Sequence, residues 1–524
     1  MLSDVALTSV GVLPVYREAV TYRDGPLLVQ GVAGSGKTSL IEDRFCWMVE
    51  QGSAPERLIV LTPFAARADA LRARLEGRLQ RGYEELHALA PVALASLILS
   101  GAGGGDLLTT TLSAGDRLAM LVERIDELPV QHHDFGGSVN TLLGGFVRRI
   151  DRLKAELISA EDYATWAAGL PEFGEQASQI ALEREFAAIY GVHERMLADA
   201  QARDNGDLVR DALRLVQNQP GVGARFEQLL VDDAQELDLA SASLVRALAG
   251  ERLTVAGDPA QALRRFRGAG AARLQSFVGE RTRVIELQRS LRCPERLLQA
   301  ARAVLPSDAR PAGPGGEVVF WRCANDRAQA QAVAADIERL ISREGVHPGQ
   351  IVVLVPAMSR EGQAVAVALE ERAIPLRLVG EAAFFQRAEI RDLLAWLRLL
   401  ADPSDAAAVV RALARPPIEL RSVDIARCTQ IARRRKLDMV AALAAATESP
   451  QVPPEARERI RVFLKLYRSS AAAIDTARPD LYVHRLIDRL ALRRQQLFAA
   501  QSDVVERLRA LAHFGERAAA HRRR

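Results

Sequence analysis

The sequence predicts an α/β protein: a parallel β-sheet carrying a phosphate-binding loop, interrupted by a helical insertion and followed by further helices. Three stretches predict it. PLLVQ leads through G-x-x-x-x-G-K-T (residues 31–38) into SLIEDRFCWMVE, an order of strand, glycine turn and helix. QLLVDDAQELD (228–238) is an apolar strand that ends in two acids, and RLTVAGDPAQALRRFRGAG (252–270) repeats strand-then-acid before a basic run.

The bulk composition agrees. A chain of 524 residues exceeds one hydrophobic core, so several domains are expected. It is 49% hydrophobic, 26% charged and 5% aromatic, which describes a soluble, helix-rich globular protein. No apolar run is long enough to span a bilayer, and the start MLSDVALTSVGVLP lacks a basic region followed by an apolar one. Neither a membrane span nor a secretory signal is expected. Cys46, Cys293, Cys323 and Cys428 are far apart and give no metal or disulfide spacing, so a cytoplasmic location is expected. The net charge of +3 neither requires nor excludes nucleic acid; a basic footprint must be local. Of the 69 basic residues only four are lysine (Lys37, Lys154, Lys436, Lys465), which singles each of them out.

The first element is the phosphate cradle. PLLVQ, bounded by Gly25, reads as a buried strand, and the helix after the loop presents its N-terminus. Gly31, Gly34, Ser35, Gly36, Lys37, Thr38 and Ser39 are the expected nucleotide contacts. Glycines let backbone N–H groups converge on phosphate oxygens, the helix end adds partial positive charge, and the lysine reaches the β- and γ-phosphates. Thr38 is expected to hold Mg²⁺ through its hydroxyl.

The second element supplies the acids. Asp232, at the end of its strand, is assigned to the metal, and Asp233 to orienting or deprotonating the attacking water. The alternative is an ordinary strand followed by a solvated acidic turn. Gln261, in the next loop, is placed to touch a γ-phosphate while that loop meets something large and anionic. Arg264, Arg265 and Arg267 suit phosphate contacts, or form a merely solvated run. Phe266 suits stacking on a base, or packs in the core.

Taken in order, GVAGSGKT, DDAQ and GDPAQ…FRGA resemble superfamily 1 DNA helicases of the UvrD/Rep/PcrA type, which carry GxAGSGKT, DExQ and GDxxQxIYxFRGA. IELQRSLRCPERLLQAA resembles the LxxNYRSxxxIL motif of that family, which places its arginine at Arg292. LVGEAAFFQRAEIRDLLAWLRLLADPSD resembles a further conserved stretch, and FVRRIDRLKAELISAEDY is similar to a helix of the family's first insertion. The resemblance implies two RecA-like cores with ATP between them and single-stranded or partly duplex DNA across their tops. It implies Lys37 and Thr38 at phosphate and Mg²⁺, Asp232 at the metal and Asp233 at the water. Gln261 becomes the γ-phosphate sensor, Arg292 an arginine reaching over from the second core, and Phe266 a base-stacking ring.

Several positions depart from the family pattern. Tyr16, in VLPVYREAV, aligns with an adenine-reading glutamine whose bidentate contact a tyrosine cannot make. Asp233 is one methylene shorter than the family's glutamate. LTPFAARA (61–68) replaces a polar loop, leaving Thr62, Phe64 and Arg67 as DNA contacts, and ALAS keeps only Ser96 of the TxHS element. After residue 420 no match is found to the family's last two motifs; a partner protein or a missing C-terminal half is expected to supply them.

The implied organisation is a first RecA-like core over 1–95 and 205–290, with a helical insertion over 96–204. A partial second RecA-like core follows over 291–400, in which GEVVFWR and IVVLVP read as strands and AEIRDLLAWLRLLA as a helix. A helical second insertion covers 401–524. PSDARPAGPGG (306–316) reads as a surface loop, as does ATESPQVPPEA. The implied function is an ATP-dependent DNA translocase or helicase of repair or recombination. The alternative is a nucleotide-binding structural or partner-dependent motor subunit with little hydrolysis of its own.

Overall fold

A computed structural model describes residues 14–79, 82–101, 110–134, 139–171, 177–356, 361–377, 387–473 and 478–490, with Leu492 and a few positions between 510 and 518. The chain forms two compact units, Met1–Val319 and Phe320–Arg524.

In the first unit six strands make one parallel sheet in the order β3-β2-β6-β7-β1-β8. Along the chain these are β1 (Leu27–Gly31), β2 (Leu58–Leu61), β3 (His87–Leu89), β6 (Gln228–Val231), β7 (Leu253–Gly257) and β8 (Arg283–Leu287). A parallel sheet needs helices on both faces, so its central strands are apolar throughout. The period-2 alternation then sorts their side chains. Leu27, Val29, Leu58, Val60 and Leu230 face a layer containing Leu40, Ile41, Phe45 and Leu71. Leu28, Ile59, Leu61, Leu229 and Val231 face the opposite layer, with Leu94, Ile98, Leu213 and Leu244. Because the strands are parallel, Gly31, Leu61, Val231, Gly257 and Leu287 end at one edge, where ligands bind in open α/β sheets.

The helical insertion packs around its own core of Leu121, Leu143, Ile150, Phe186, Ile189 and Tyr190. Within it β4 (Thr110–Thr111) and β5 (Ala202–Arg203) pair in parallel as a separate two-stranded sheet. The expected start at residue 96 is too early. The helix Pro91–Gly101 buries Leu94, Ala95, Ile98 and Leu99 against the sheet and belongs to the core. Three helices around the insertion start with a Ser or Asp whose side chain accepts from a backbone N–H three residues on, while an Asp at that position bonds back. They begin after Ser113, Ser159 and Asp204.

The second unit is helical among its described residues. Its main core runs from Ile390 and Trp396 through Leu443 and Phe463 to Ile487, and includes the expected helix over Ala388–Ala401. A smaller cluster joins Ala334 and Ile337 to Ala368 and Leu369. GEVVFWR and IVVLVP are not strands. An apolar run favours extended backbone, but a strand also needs a ladder partner about 4.8 Å away, and neither run has one among the described residues. Phe320 is 90% exposed and Leu354 89%. The start of LVGEAAFFQR lies outside the described residues. Residues 291–319, expected to open a second core, belong to the first unit.

Candidate functional site

The tips of β1, β6 and β7 bring the expected phosphate, metal and sensor residues together. From Gly31 the chain turns through Gly34 (φ 72°) and Gly36 (φ 91°) into the helix Lys37–Glu50. A side chain at Gly34 would be strained in that left-handed conformation, and its Cβ would also lie 2.8 Å from Ser290 Oγ. A Cβ on Gly31 would lie 2.4 Å from Ser35 Oγ. The loop thus needs glycine both for its backbone angles and for its closeness. Ser35 is buried with its hydroxyl unpartnered among the described residues, and Ser39 is exposed in the first turn of the helix.

Lys37 is buried, and its ammonium donates to the carbonyls of Gly31 (2.7 Å) and Val32 (3.1 Å). Burial pulls its pKa below the ordinary lysine value; Asp258 and then Asp232 oppose this, and Arg292 adds to it. The Thr38 hydroxyl donates to Asp232 Oδ2 at 2.8 Å, across 194 residues of sequence. Asp232 is 3% exposed, and its Oδ1 has no hydrogen-bond partner among the described residues. Burial raises its pKa, against the Thr38 hydrogen bond and the charges of Lys37 and Arg67. A hydroxyl and a carboxylate at this spacing, with one carboxylate oxygen left over, fit Mg²⁺, a hard cation that takes oxygen ligands.

Asp233 adopts a left-handed conformation (φ 53°) and is largely buried. One of its carboxylate oxygens is paired with Arg67, and the other accepts from Gln235 Nε2 at 3.3 Å. Gln235 also accepts from the backbone N–H of Asp258 at 3.0 Å, which ties the DDAQ turn to the GDPAQ turn. Asp258 in turn accepts from Gln261 Nε2 at 2.6 Å. Neither Gln235 nor Asp258 was among the expected site residues. Their signal was present: Asp258 immediately follows β7, and Gln235 lies four residues past the end of β6 in the turn that carries the two acids.

Arg292 stands beside the loop, within the compact unit Met1–Val319. The segment after β8 clamps onto the cradle: Ser290 Oγ donates to Ala33 O at 2.8 Å and Leu291 N to Gly34 O at 2.8 Å. A Cβ on Gly34 would lie 3.1 Å from Arg292 Cβ. Tyr16 flanks the other side, with its ring near Gly36 and its hydroxyl donating to Asp43 at 2.7 Å. Burial first, and then the Asp43 carboxylate, push the Tyr16 pKa above its ordinary value.

The candidate nucleic-acid residues divide. Phe64 lies under two guanidinium groups, that of Arg264 at 4.0 Å from its ring centroid and that of Arg67 at 5.6 Å. The Arg264 pKa is drawn down by burial, then by Arg267, with Arg67 adding to this and Glu236 opposing it. Phe266 is 73% exposed, so it is not a core residue; Arg267 sits over its ring. Leu263, beside them, is 81% exposed. Glu236 orders this loop by accepting from the backbone N–H groups of Leu263 (2.6 Å) and Arg264 (3.3 Å). Ser96 is exposed, but its hydroxyl donates back to Val92 O within its own helix at 3.0 Å. Thr62 is buried and so is not a surface contact.

The family comparisons agree with this geometry. The UvrD/REP helicase N-terminal domain family matches residues 14–280, and the UvrD-like helicase C-terminal domain family matches residues 285–451. ATP-dependent DNA helicase PcrA of Leuconostoc citreum is 25% identical over 470 residues, covering 86% of this chain and 60% of that protein. ATP-dependent DNA helicase UvrD1 of Mycobacterium tuberculosis is 26% identical over 517 residues, covering 93% and 65%. PcrA of Bacillus subtilis is 27% identical over 415 residues, covering 75% and 54%. The chain therefore spans about 54–65% of the length of these relatives. No helix among the described residues is long and apolar enough to cross a membrane.

Proposed function

Since the chain belongs to the UvrD/REP helicase family, we propose that it is an ATP-driven motor acting on single-stranded or partly duplex DNA. The observation that carries this reading is the 2.8 Å contact between Thr38 and Asp232, which joins the phosphate loop to the acidic strand beside a buried Lys37. Phosphoryl transfer depends more on positioning and charge stabilisation than on covalent chemistry, and these residues are built for both. The loop glycines, Lys37 and the N-terminus of its helix would hold the phosphates of ATP, and Thr38 and Asp232 would hold Mg²⁺. Bound there, Mg²⁺ neutralises charge on the β- and γ-phosphates. Asp233 would orient the attacking water, Gln261 would sense the γ-phosphate and Arg292 would stabilise charge on it. Tyr16 would flank the base. Phe64, Arg67, Arg264, Phe266 and Arg267 would form the DNA track, in which exposed rings and guanidinium groups bind without reading sequence.

A second reading is a nucleotide-binding subunit that hydrolyses little ATP without a partner. The state of Asp233 favours it: a carboxylate one methylene shorter than glutamate, engaged by Arg67 and Gln235. ATPase assays with Mg²⁺ and oligothymidylate, beside Lys37→Ala, separate the two. A motor gives DNA-stimulated turnover that Lys37→Ala lowers by about 100-fold or more. The second reading gives Mg²⁺-dependent nucleotide binding with negligible turnover. No nucleotide binding at all would remove both.

A further inference from the structure

Arg67 stands between the two halves of the proposed site. It lies in the first turn of the helix Ala65–Arg78, and its side chain is 60% exposed. One end of its reach is the Asp233 carboxylate; the other is the Phe64 ring, which it shares with Arg264. The second oxygen of Asp233 accepts from Gln235 Nε2 at 3.3 Å, a long contact, so Arg67 is the tighter hold on its carboxylate. Arg67 can let go, because its own side of the pair is exposed and its long side chain exchanges partners readily. Its neighbours push it to exchange. Arg264 and Arg267 crowd the same surface with like charge, and the nearby Glu236 is already spent on backbone N–H groups. A phosphate arriving at this surface would meet three guanidinium groups.

We propose that Arg67 is a positioning residue that couples the DNA track to hydrolysis: its guanidinium holds the Asp233 carboxylate until a DNA phosphate takes that carboxylate's place. The freed Asp233 then turns to the attacking water. The inference rests on the proposed DNA-binding surface and goes beyond it by naming the link that makes hydrolysis respond to DNA. Coupling between two ligands is reciprocal, so the latch must also be visible in DNA binding, with no turnover needed.

The test is binding of fluorescent oligothymidylate to the full chain across a salt series. Asp233→Asn removes the competing carboxylate. Affinity is expected to rise about two- to fivefold. The slope of log K against log salt is expected to stay as in the wild type, because Arg67 makes the same phosphate contact in both complexes. Arg67→Ala weakens binding and flattens the slope by about 0.7, the loss of that one contact on single-stranded DNA, and Arg67→Lys restores the slope. In the Arg67→Ala background Asp233→Asn changes nothing, since the two residues act as one unit. If the wild-type chain binds the oligonucleotide but Asp233→Asn leaves affinity unchanged, the latch is refuted while the DNA surface stands. If the wild-type chain does not bind, both fall. A purely structural Arg67 would shift the melting temperature of Arg67→Ala and leave the salt slope alone.

Discussion

Lys154, one of only four lysines in the chain, is 0% exposed, and its removal should cost the first unit a measurable part of its stability. Its ammonium lies 2.7 Å from Glu194, 2.8 Å from Asp207 and 2.9 Å from Asp204. Asp204 also accepts from Arg117 at 3.0 Å and begins the helix Asn205–Asn218, so this cluster fastens the helical insertion to the core. Burial alone would raise the Asp204 pKa; Lys154 first, and then Arg117, outweigh it and hold the pKa near about 2 against an ordinary 3.8. A carboxylate whose pKa is lowered in the folded state stabilises the fold above its unfolded value, and that contribution is lost as pH falls from about 4 towards 2. The difference corresponds to about 2 kcal/mol, and leaving buried carboxylates without their cation raises the cost to about 3–5 kcal/mol. At roughly 2–4 °C per kcal/mol, Lys154→Met should lower the melting temperature of the first unit by about 6–20 °C at pH 7. Differential scanning fluorimetry reads this, with the exposed Lys465→Met as control. The deficit should shrink as pH falls below about 4 and the carboxylates take up protons. A Lys154→Met protein that melts with the wild type would refute the charge-pairing account.

Three further outcomes are expected. Gly34→Ala should abolish Mg²⁺-dependent nucleotide binding in a fluorescent-analogue titration while the protein stays folded, because the added Cβ meets Ser290 and strains a φ of 72°. Phe266→Ala should weaken oligothymidylate binding by about 5- to 100-fold in anisotropy, as loss of one stacked base implies, and should leave the melting temperature unchanged because the ring is already exposed. Because burial raises the Asp232 pKa, Mg²⁺-dependent nucleotide binding should fail on the acid side at a pH above the usual carboxylate range of about 4. The same shift makes ionised Asp232 a cost to the fold that grows as pH rises through its folded pKa. Asp232→Asn should therefore lose metal-dependent binding without losing stability at neutral pH.

The placement of the proposed cradle and its acids was legible because it is local. A glycine turn between an apolar strand and a helix has few other uses, and an acid at a strand's end lies at the ligand edge whenever the sheet is parallel. Pairings between side chains were not legible. Nothing in DDAQ says that Gln235 reaches the Asp258 backbone, or that Arg67, 166 residues earlier, holds Asp233. Such contacts depend on strand order, and here β7 separates β6 from β1. The strands expected in GEVVFWR and IVVLVP failed for a related reason. Apolar composition describes a strand's own preference, whereas a ladder requires a partner that composition does not name. Arg292 was singled out by motif, but its closeness to the loop was not legible, because it depends on a short segment after β8 that folds back onto that loop.

The loop from Asp258 to Gly268 shows how one short segment can serve two ligands. At its start Gln261 is held by Asp258, on the phosphate side. At its end Gly268 is fixed by Arg273, which donates to Gly268 O at 3.0 Å and is itself held from the insertion by both oxygens of Glu156 at 2.9 and 2.7 Å. The backbone there needs glycine, since φ is 99° and a Cβ would lie 2.5 Å from the Arg152 guanidinium and 2.7 Å from Glu156. With both ends tied and Glu236 gripping its backbone, the middle of the loop holds Leu263 and Phe266 out to solvent without collapsing onto the sheet. A flexible loop would pay the ordering entropy each time a strand bound; this one is already ordered by the core and the insertion together. The Lys154 cluster acts on the same loop from a distance, because it sets the helix Val139–Ala155 from which Arg152 and the neighbouring Glu156 reach Gly268. Within this unit, the helical insertion therefore works as the support that holds the proposed DNA-contacting loop at a fixed distance from the phosphate cradle.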